Sequence, residues 1–172
     1  GPAPMGIDIE TAWARGFRGD GITITDVENS WNLNHEDLCQ LAGQVPPVAW
    51  VPQNDWLDIV PPGQAPSTNR SHGTATLGVL AAADNGIGAT GLVPDAVIRV
   101  APARRFSVAN WIAPNAIIES VLRMQAGDVL LVELENPTGE PFETFDAEFA
   151  AVRQATALGI HVIEPAGNTP TG

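Results

Sequence analysis

Apolar residues run almost without interruption at Ile22–Val27, Ala96–Ala101, Asp128–Leu134 and Ile160–Glu164. These runs are rich in Val, Ile and Leu and hardly alternate with polar residues, the pattern of a strand covered on both faces. Between them the spacing lengthens to that of a helix. Ile7–Ala14 starts beside Asp8, a capping residue type, and stops at Gly16, while His72–Ala83 is rich in small residues. Pro114–Ala126 sets Ile117, Ile118, Val121, Leu122 and Gln125 on one stripe, and Thr144–Leu158 sets Phe145, Phe149 and Val152 on another. Gly127 and Gly159 then end those helices. Strand and helix in alternation predict the α/β class: a three-layer, mostly parallel sheet with helices on both faces. The connection Cys39–Arg70, with Trp50 and Trp56 among Pro, Gln and Asn, is too long to be idle.

Composition narrows the chemistry. A chain of 172 residues reads as a single domain, 1–172, long enough to bury a core. Its formal net charge of -12 argues against nucleic acid or an anionic membrane as partner. Every basic residue is arginine, so lysine Schiff bases and phosphate-binding P-loops are excluded. Cys39 is alone, which excludes an internal disulfide and a thiolate metal cluster. The apolar runs are far too short to span a bilayer. The Gly1-Pro2-Ala3-Pro4 start has neither a basic nor an apolar leader region.

In an open parallel sheet, chemistry gathers at the carboxyl ends of the strands. Asp26 closes the run Gly21–Thr25, His72 opens a helix, and Asn168 follows the last strand. An acid that accepts from one imidazole nitrogen fixes the tautomer and leaves the other nitrogen free to take a proton. A helix start disfavours the imidazolium and holds that base neutral. Taken one by one, these residues also fit a strand-end cap, a structural histidine and a turn. A nucleophile is harder to find. Ser71 adjoins His72 in sequence and is expected to point elsewhere, and Ser30, Ser67, Ser107 and Ser120 stand in no Gly-x-Ser-x-Gly setting.

His72-Gly73-Thr74, continuing through Leu77–Gly88 to Gly91-Leu92-Val93-Pro94, resembles the histidine motif of subtilisin-like serine peptidases. Asp26 followed by His35-Glu36-Asp37-Leu38 resembles that family's aspartate motif, and Gly159–Asn168 resembles the strand into its oxyanion-hole asparagine. The resemblance covers nearly the whole chain, in the family's order. It implies a subtilisin-like fold, incomplete on its C-terminal side, in which Asp26 orients His72, His72 is the general base and Asn168 donates to the oxyanion. The serine would come from a downstream segment or a second chain. A peptide or protein substrate would lie along Glu133, Leu134 and Glu135, with Ala166 and Gly167 opposite. It further implies calcium at Asp37, Asn85 and the carbonyls of Ala83, Ile87 and Ala89, and a secreted or extracellular protein.

Departures from the family pattern matter as well. Asp26-Val27-Glu28 stands where the family has Asp-Thr-Gly or Asp-Ser-Gly, and Glu133-Leu134-Glu135 stands where it has Ser-Leu-Gly. The glutamates Glu28, Glu133, Glu135 and Glu164 would make an acidic cleft for basic side chains, let two carboxylates share a proton, or simply form a solvated rim. His35 and His161 are expected to be structural, with His161 inside an apolar strand. The leading expectation is an endopeptidase whose nucleophile lies outside this chain. The alternatives are a catalytically inactive peptide-binding or interaction module, and a carboxylate hydrolase using Asp26 with a glutamate.

Overall fold

A computed structural model describes residues 6–41, 68–105, 110–111, 113–136 and 138–168. Trp50 and Trp56 lie outside the described residues, as do Ser67 and Ser107. The strands are β1 (Thr23–Glu28), β2 (Val97–Pro102), β3 (Arg104–Arg105), β4 (Asn110–Trp111), β5 (Val129–Val132) and β6 (His161–Ile163). The α-helices are α1 (Ile9–Ala14), α2 (Thr68–Ala81), α3 (Ala113–Val121) and α4 (Asp146–Ala157), with short 3-10 turns at Glu36–Leu41 and Phe142–Thr144.

Four strands form one sheet in the order β2-β1-β5-β6, and every neighbour pair is parallel. The predicted α/β architecture is the one observed, and β3 and β4 form a small antiparallel pair beside it. Parallel neighbours need crossovers, and the helices supply them on both faces. One face packs Val27, Leu130, Val132 and Ala101 against Ala116, Ile117, Ala151 and Ala155 of α3 and α4. The other packs Ile24, Ile98, Val100 and Leu131 against Leu77 and Ala81 of α2, with Trp31 and Leu38. Alternation along β1 therefore sends Ile24, Asp26 and Glu28 toward α2, and Thr25 and Val27 the other way.

The helical stripes sit differently from expectation. In α3 the buried face is Ala113, Ala116, Ile117, Ser120 and Val121, whereas Leu122 lies past the helix and is 72% exposed. In α4 the buried residues are Glu148, Ala151 and Ala155, and Phe145 and Phe149 face outward. Small side chains let α4 approach the sheet closely, and Phe142 from the preceding turn fills the volume instead. His161 also departs from expectation: among the described residues β6 is one of the two end strands of the sheet, and the His161 side chain is exposed.

Candidate active site

The carboxyl ends of β1, β5 and β6 lie along one edge of the sheet, because those strands run parallel in adjacent positions. His72 does not open its helix as expected, because α2 already begins at Thr68; it stands in the second turn, and that turn meets the edge above β1. His72 Nδ1 is hydrogen-bonded to Glu28 Oε1. The other oxygen of Glu28 accepts from the backbone N–H of Asn29 at 2.6 Å. Glu28 is 1% exposed, while the His72 side chain is 58% exposed. The arrangement is an acid inside and an imidazole at the surface. Burial pushes the Glu28 carboxyl above its ordinary range; the Asn29 N–H and His72 oppose that shift, and Glu133 adds to it.

Asp26 does not meet His72, which corrects the expected pairing. Its side chain is fully buried, and its Oδ2 accepts from Trp31 Nε1 at 2.7 Å. Burial pushes its pKa far up, the Trp31 donor pulls it down, and Glu28 and Glu133 push it up again. The cause of the misplacement is strand length. β1 continues through Val27 to Glu28, so the residue at its carboxyl end, within reach of His72 on α2, is Glu28. Asn29 and Ser30 follow as turn-forming residues, and that turn signal directly after Glu28 marks the true strand end in the sequence.

A close approach makes the contact with α2 possible. A Cβ on Gly73 would collide with the Ser30 carbonyl oxygen and meet Trp31 Cδ1 and Nε1 at 3.0 Å. Only glycine lets the turn after Glu28 lie flat against the helix. Thr74 then fastens it, since Asn32 N–H donates to Thr74 Oγ1 at 2.9 Å.

Across the edge, Glu133 N–H continues the ladder to Val27 O at 3.2 Å. Leu134 is 5% exposed and belongs to the core on the α3–α4 side, so its side chain is spoken for. Glu135 forms an antiparallel bridge with Pro141, and its Oε2 accepts from Asn168 Nδ2 at 2.7 Å and from Asn168 N–H at 3.0 Å. The amide expected to be an oxyanion donor thus converges with its own backbone N–H on one carboxylate oxygen. Gly167 allows this turn: its φ is +93°, and a Cβ there would strike the Gly139 carbonyl oxygen. Asn136, 3% exposed, orders the adjoining loop, its Oδ1 accepting from Thr138 N–H and Glu140 N–H at 2.9 Å each. The Thr138 and Asn136 side chains hold the Glu140 carboxyl below its ordinary range. Ala166 lies exposed beside this loop.

Glu164 stands beside a second carboxylate that sequence reasoning passed over, Glu143. Burial, then the neighbouring Glu143 carboxyl, pushes Glu164 up to about 8. Glu143 stands on the turn before α4, and its helical spacing gave no hint of this neighbour.

For a metal, the groups named from the sequence come together only in part. Asp37 Oδ1 is buried without a hydrogen-bond partner, and its carboxylate fills the space a Cβ would take at Gly88. Asn85 Oδ1 accepts from Ile87 N–H at 3.0 Å, the Ala83 carbonyl accepts from Asn85 N–H at 2.9 Å, and Ala89 N–H reaches Asp37 Oδ2 at 3.4 Å. An orphaned carboxylate oxygen beside a carbonyl-bearing loop suits a hard cation. Among the described residues no group of His, Cys, Asp and Glu large enough to hold a metal by itself is present. His35 has a local role, its Nδ1 accepting from Asp37 N–H at 3.2 Å. Ser120 Oγ donates to the Ala116 carbonyl at 2.7 Å, and Ser30 is buried. No described helix is long and apolar enough to cross a membrane.

No protein-family model matches the chain. Furin of Mus musculus is 33% identical over 93 residues, which is 54% of this chain and 11% of furin. Furin of Homo sapiens is 32% identical over the same extent. The chain therefore spans 11% of the length of the curated relatives it matches. In fold it is similar to the prenylagaramide maturation protease PagA, with a TM-score of 0.61 and 16% identity, over 92% of this chain and 50% of that one.

Proposed function

With sequence and fold both of the subtilisin-like protease kind as the premise, we propose that this chain is the N-terminal part of a serine endopeptidase whose base is His72 and whose acid is Glu28. The observation that carries the reading is the buried Glu28 carboxylate at His72 Nδ1. An acid there keeps the proton on Nδ1 and leaves the Nε2 lone pair on the open side. The serine comes from a segment beyond Gly172 or from a second chain. Its Oγ attacks the carbonyl carbon of the scissile bond and passes its proton to Nε2. Glu28 stabilises the resulting imidazolium, which returns the proton to the departing amine. Asn168 Nδ2 donates to the oxyanion once substrate displaces Glu135.

The peptide adds itself along 133–135 by backbone hydrogen bonds, with Ala166 and Gly167 opposite. Glu133 and Glu135 on that segment favour basic side chains; Glu135→Gly is expected to weaken cleavage beside Arg or Lys across a peptide library, and an unchanged preference refutes this. Calcium, by the same kinship, would be held by Asp37, Asn85 and the carbonyls of Ala83, Ile87 and Ala89. It would tie two loops together and take no part in the chemistry. Chelation is then expected to lower the melting temperature. An extracellular setting belongs to the same reading.

Fluorophosphonate labelling of the longer protein tests the acid–base assignment. Labelling is expected in the wild type and lost in Glu28→Gln and His72→Ala; labelling that survives Glu28→Gln at full rate refutes it. A second reading, an inactive peptide-binding module, is favoured by the Glu135 carboxylate that already satisfies Asn168. It predicts saturable peptide binding with no labelling under any condition.

A further inference from the structure

We propose that Asp26 is a positioning residue for the histidine base: its carboxyl locks Trp31 as a wedge beneath Gly73 and so sets how the second turn of α2 presents His72 to Glu28. The inference rests on His72 and Glu28 acting as base and acid. Asp26 and Trp31 are both fully buried, and the hydrogen bond from Trp31 Nε1 to Asp26 Oδ2 measures 2.7 Å. The indole edge that donates this bond is also the edge lying against Gly73, with Cδ1 and Nε1 at 3.0 Å from where a Cβ would be. One ring thus touches the strand that carries Glu28 and the helix that carries His72.

Neighbouring contacts make the ring part of a clamp. Asn32 N–H donates to Thr74 Oγ1 at 2.9 Å, Thr74 Oγ1 donates to the Arg70 carbonyl at 2.6 Å, and Arg70 Nη2 donates to Asn32 Oδ1 at 2.8 Å. The segment Ser30–Asn32 therefore grips α2 on both sides of His72. At the other end this segment is fastened to β1 by the Asn29 N–H bond to Glu28 and by the Trp31 bond to Asp26. Without the Asp26 acceptor, a buried indole N–H loses its partner and the ring has reason to move. The carboxylates that act on Asp26 are Glu28 on β1 and Glu133 just after β5; burial first, and then these two, push it well above the ordinary carboxylate range. An amide oxygen can do the same work, so the role does not depend on negative charge.

The test is proton NMR on the longer protein, following the low-field resonance of the His72 Nδ1 proton bonded to Glu28 across pH. Its assignment comes from its disappearance in Glu28→Gln. Asp26→Asn is expected to keep the resonance in place, because the acceptor survives. Asp26→Leu and Trp31→Phe are expected to shift it upfield and raise its exchange with water about tenfold, the weight of one lost hydrogen bond. Should Asp26→Leu fail to fold, Trp31→Phe carries the test, since it keeps an aromatic ring and removes the donor together with the edge that lies against Gly73. A resonance unmoved in Trp31→Phe overturns the proposal, and so does Asp26→Asn behaving like Glu28→Gln. A wild-type chain with no such resonance overturns the base–acid reading itself.

Discussion

Two sets of carboxylates meet at the same edge of the sheet and behave as opposites. Asp26 and Glu28 on β1 are buried, each with assigned partners: an indole N–H for the first, a backbone N–H and an imidazole for the second. Glu133, Glu135 and Glu164 lie on the rim and keep partial contact with solvent. Burial makes a charge–donor pair directional and strong, because no water competes and an unpaired charge is costly. On the rim the same chemical group is screened and can exchange partners. Which carboxylate supports the histidine is thus decided by depth and by the last residue of β1, and having a carboxyl group is not enough.

The comparison breaks first at Glu28. In the protein that carries its nucleophile, Glu28→Gln is expected to lower kcat ~10⁴-fold, as when the acid of a triad becomes an amide and the wrong imidazole tautomer is held. Asp26→Asn is expected to give only a small fraction of that loss. Steady-state peptide hydrolysis measures both. Equal losses would mean that the two buried carboxyls share the task. Next comes the rim: Asn168→Ala is expected to cost ~10²–10³-fold in kcat with little change in KM, the weight of one oxyanion donor. If KM rises instead while kcat holds, Asn168 binds substrate and does not stabilise the oxyanion.

How much of this was legible beforehand follows from the kind of signal. The parallel sheet could be read because each strand is apolar on both faces, which only a helix-covered sheet requires. His72 was legible because Gly73 and Thr74 beside it are needed for close packing and fastening. Glu28 was read as a cleft glutamate and not as the partner of His72 because an aspartate in the apolar run drew attention, although β1 runs on past it. The helix stripes were misjudged at Phe145 and Phe149, since large apolar residues mark a face by size, whereas α4 meets the sheet through alanines. The pairing of Glu143 with Glu164 joins a turn to a distant strand end, and no local pattern encodes such a contact.

Smaller in effect, and aimed at the inner region, is Gly73→Ala. The added methyl meets the Ser30 carbonyl and the Trp31 ring, and both are held in place by other bonds. Overpacking of this kind is expected to destabilise by ~1–3 kcal/mol, seen as a lower denaturation midpoint at constant slope. At Gly78 a Cβ would meet nothing within 4 Å, so Gly78→Ala in the same helix should be neutral or stabilising. Helix propensity favours alanine at both positions, so matching losses would mean that the contact with Ser30 and Trp31 is not what sets the cost at Gly73.

The smallest effect belongs to the rim. Glu164 has a folded pKa of about 8 against an ordinary 4.5, so between those values the folded chain holds a proton that the unfolded chain has released. Stability from this group is therefore fully present below pH 4.5 and is lost as pH rises through about 8. Because the side chain is only half-buried, solvent screening reduces the contribution to about 1 kcal/mol. Glu164→Gln removes the titration and leaves the packing, so thermal melts should find the variant gaining on the wild type from pH 5 to pH 8. Glu143 is its neighbour, and Glu143→Gln should flatten the same slope by removing the second carboxylate. A pH-independent difference in either variant would mean the pair does not share a proton, and the rim would then be no more than separately solvated charges.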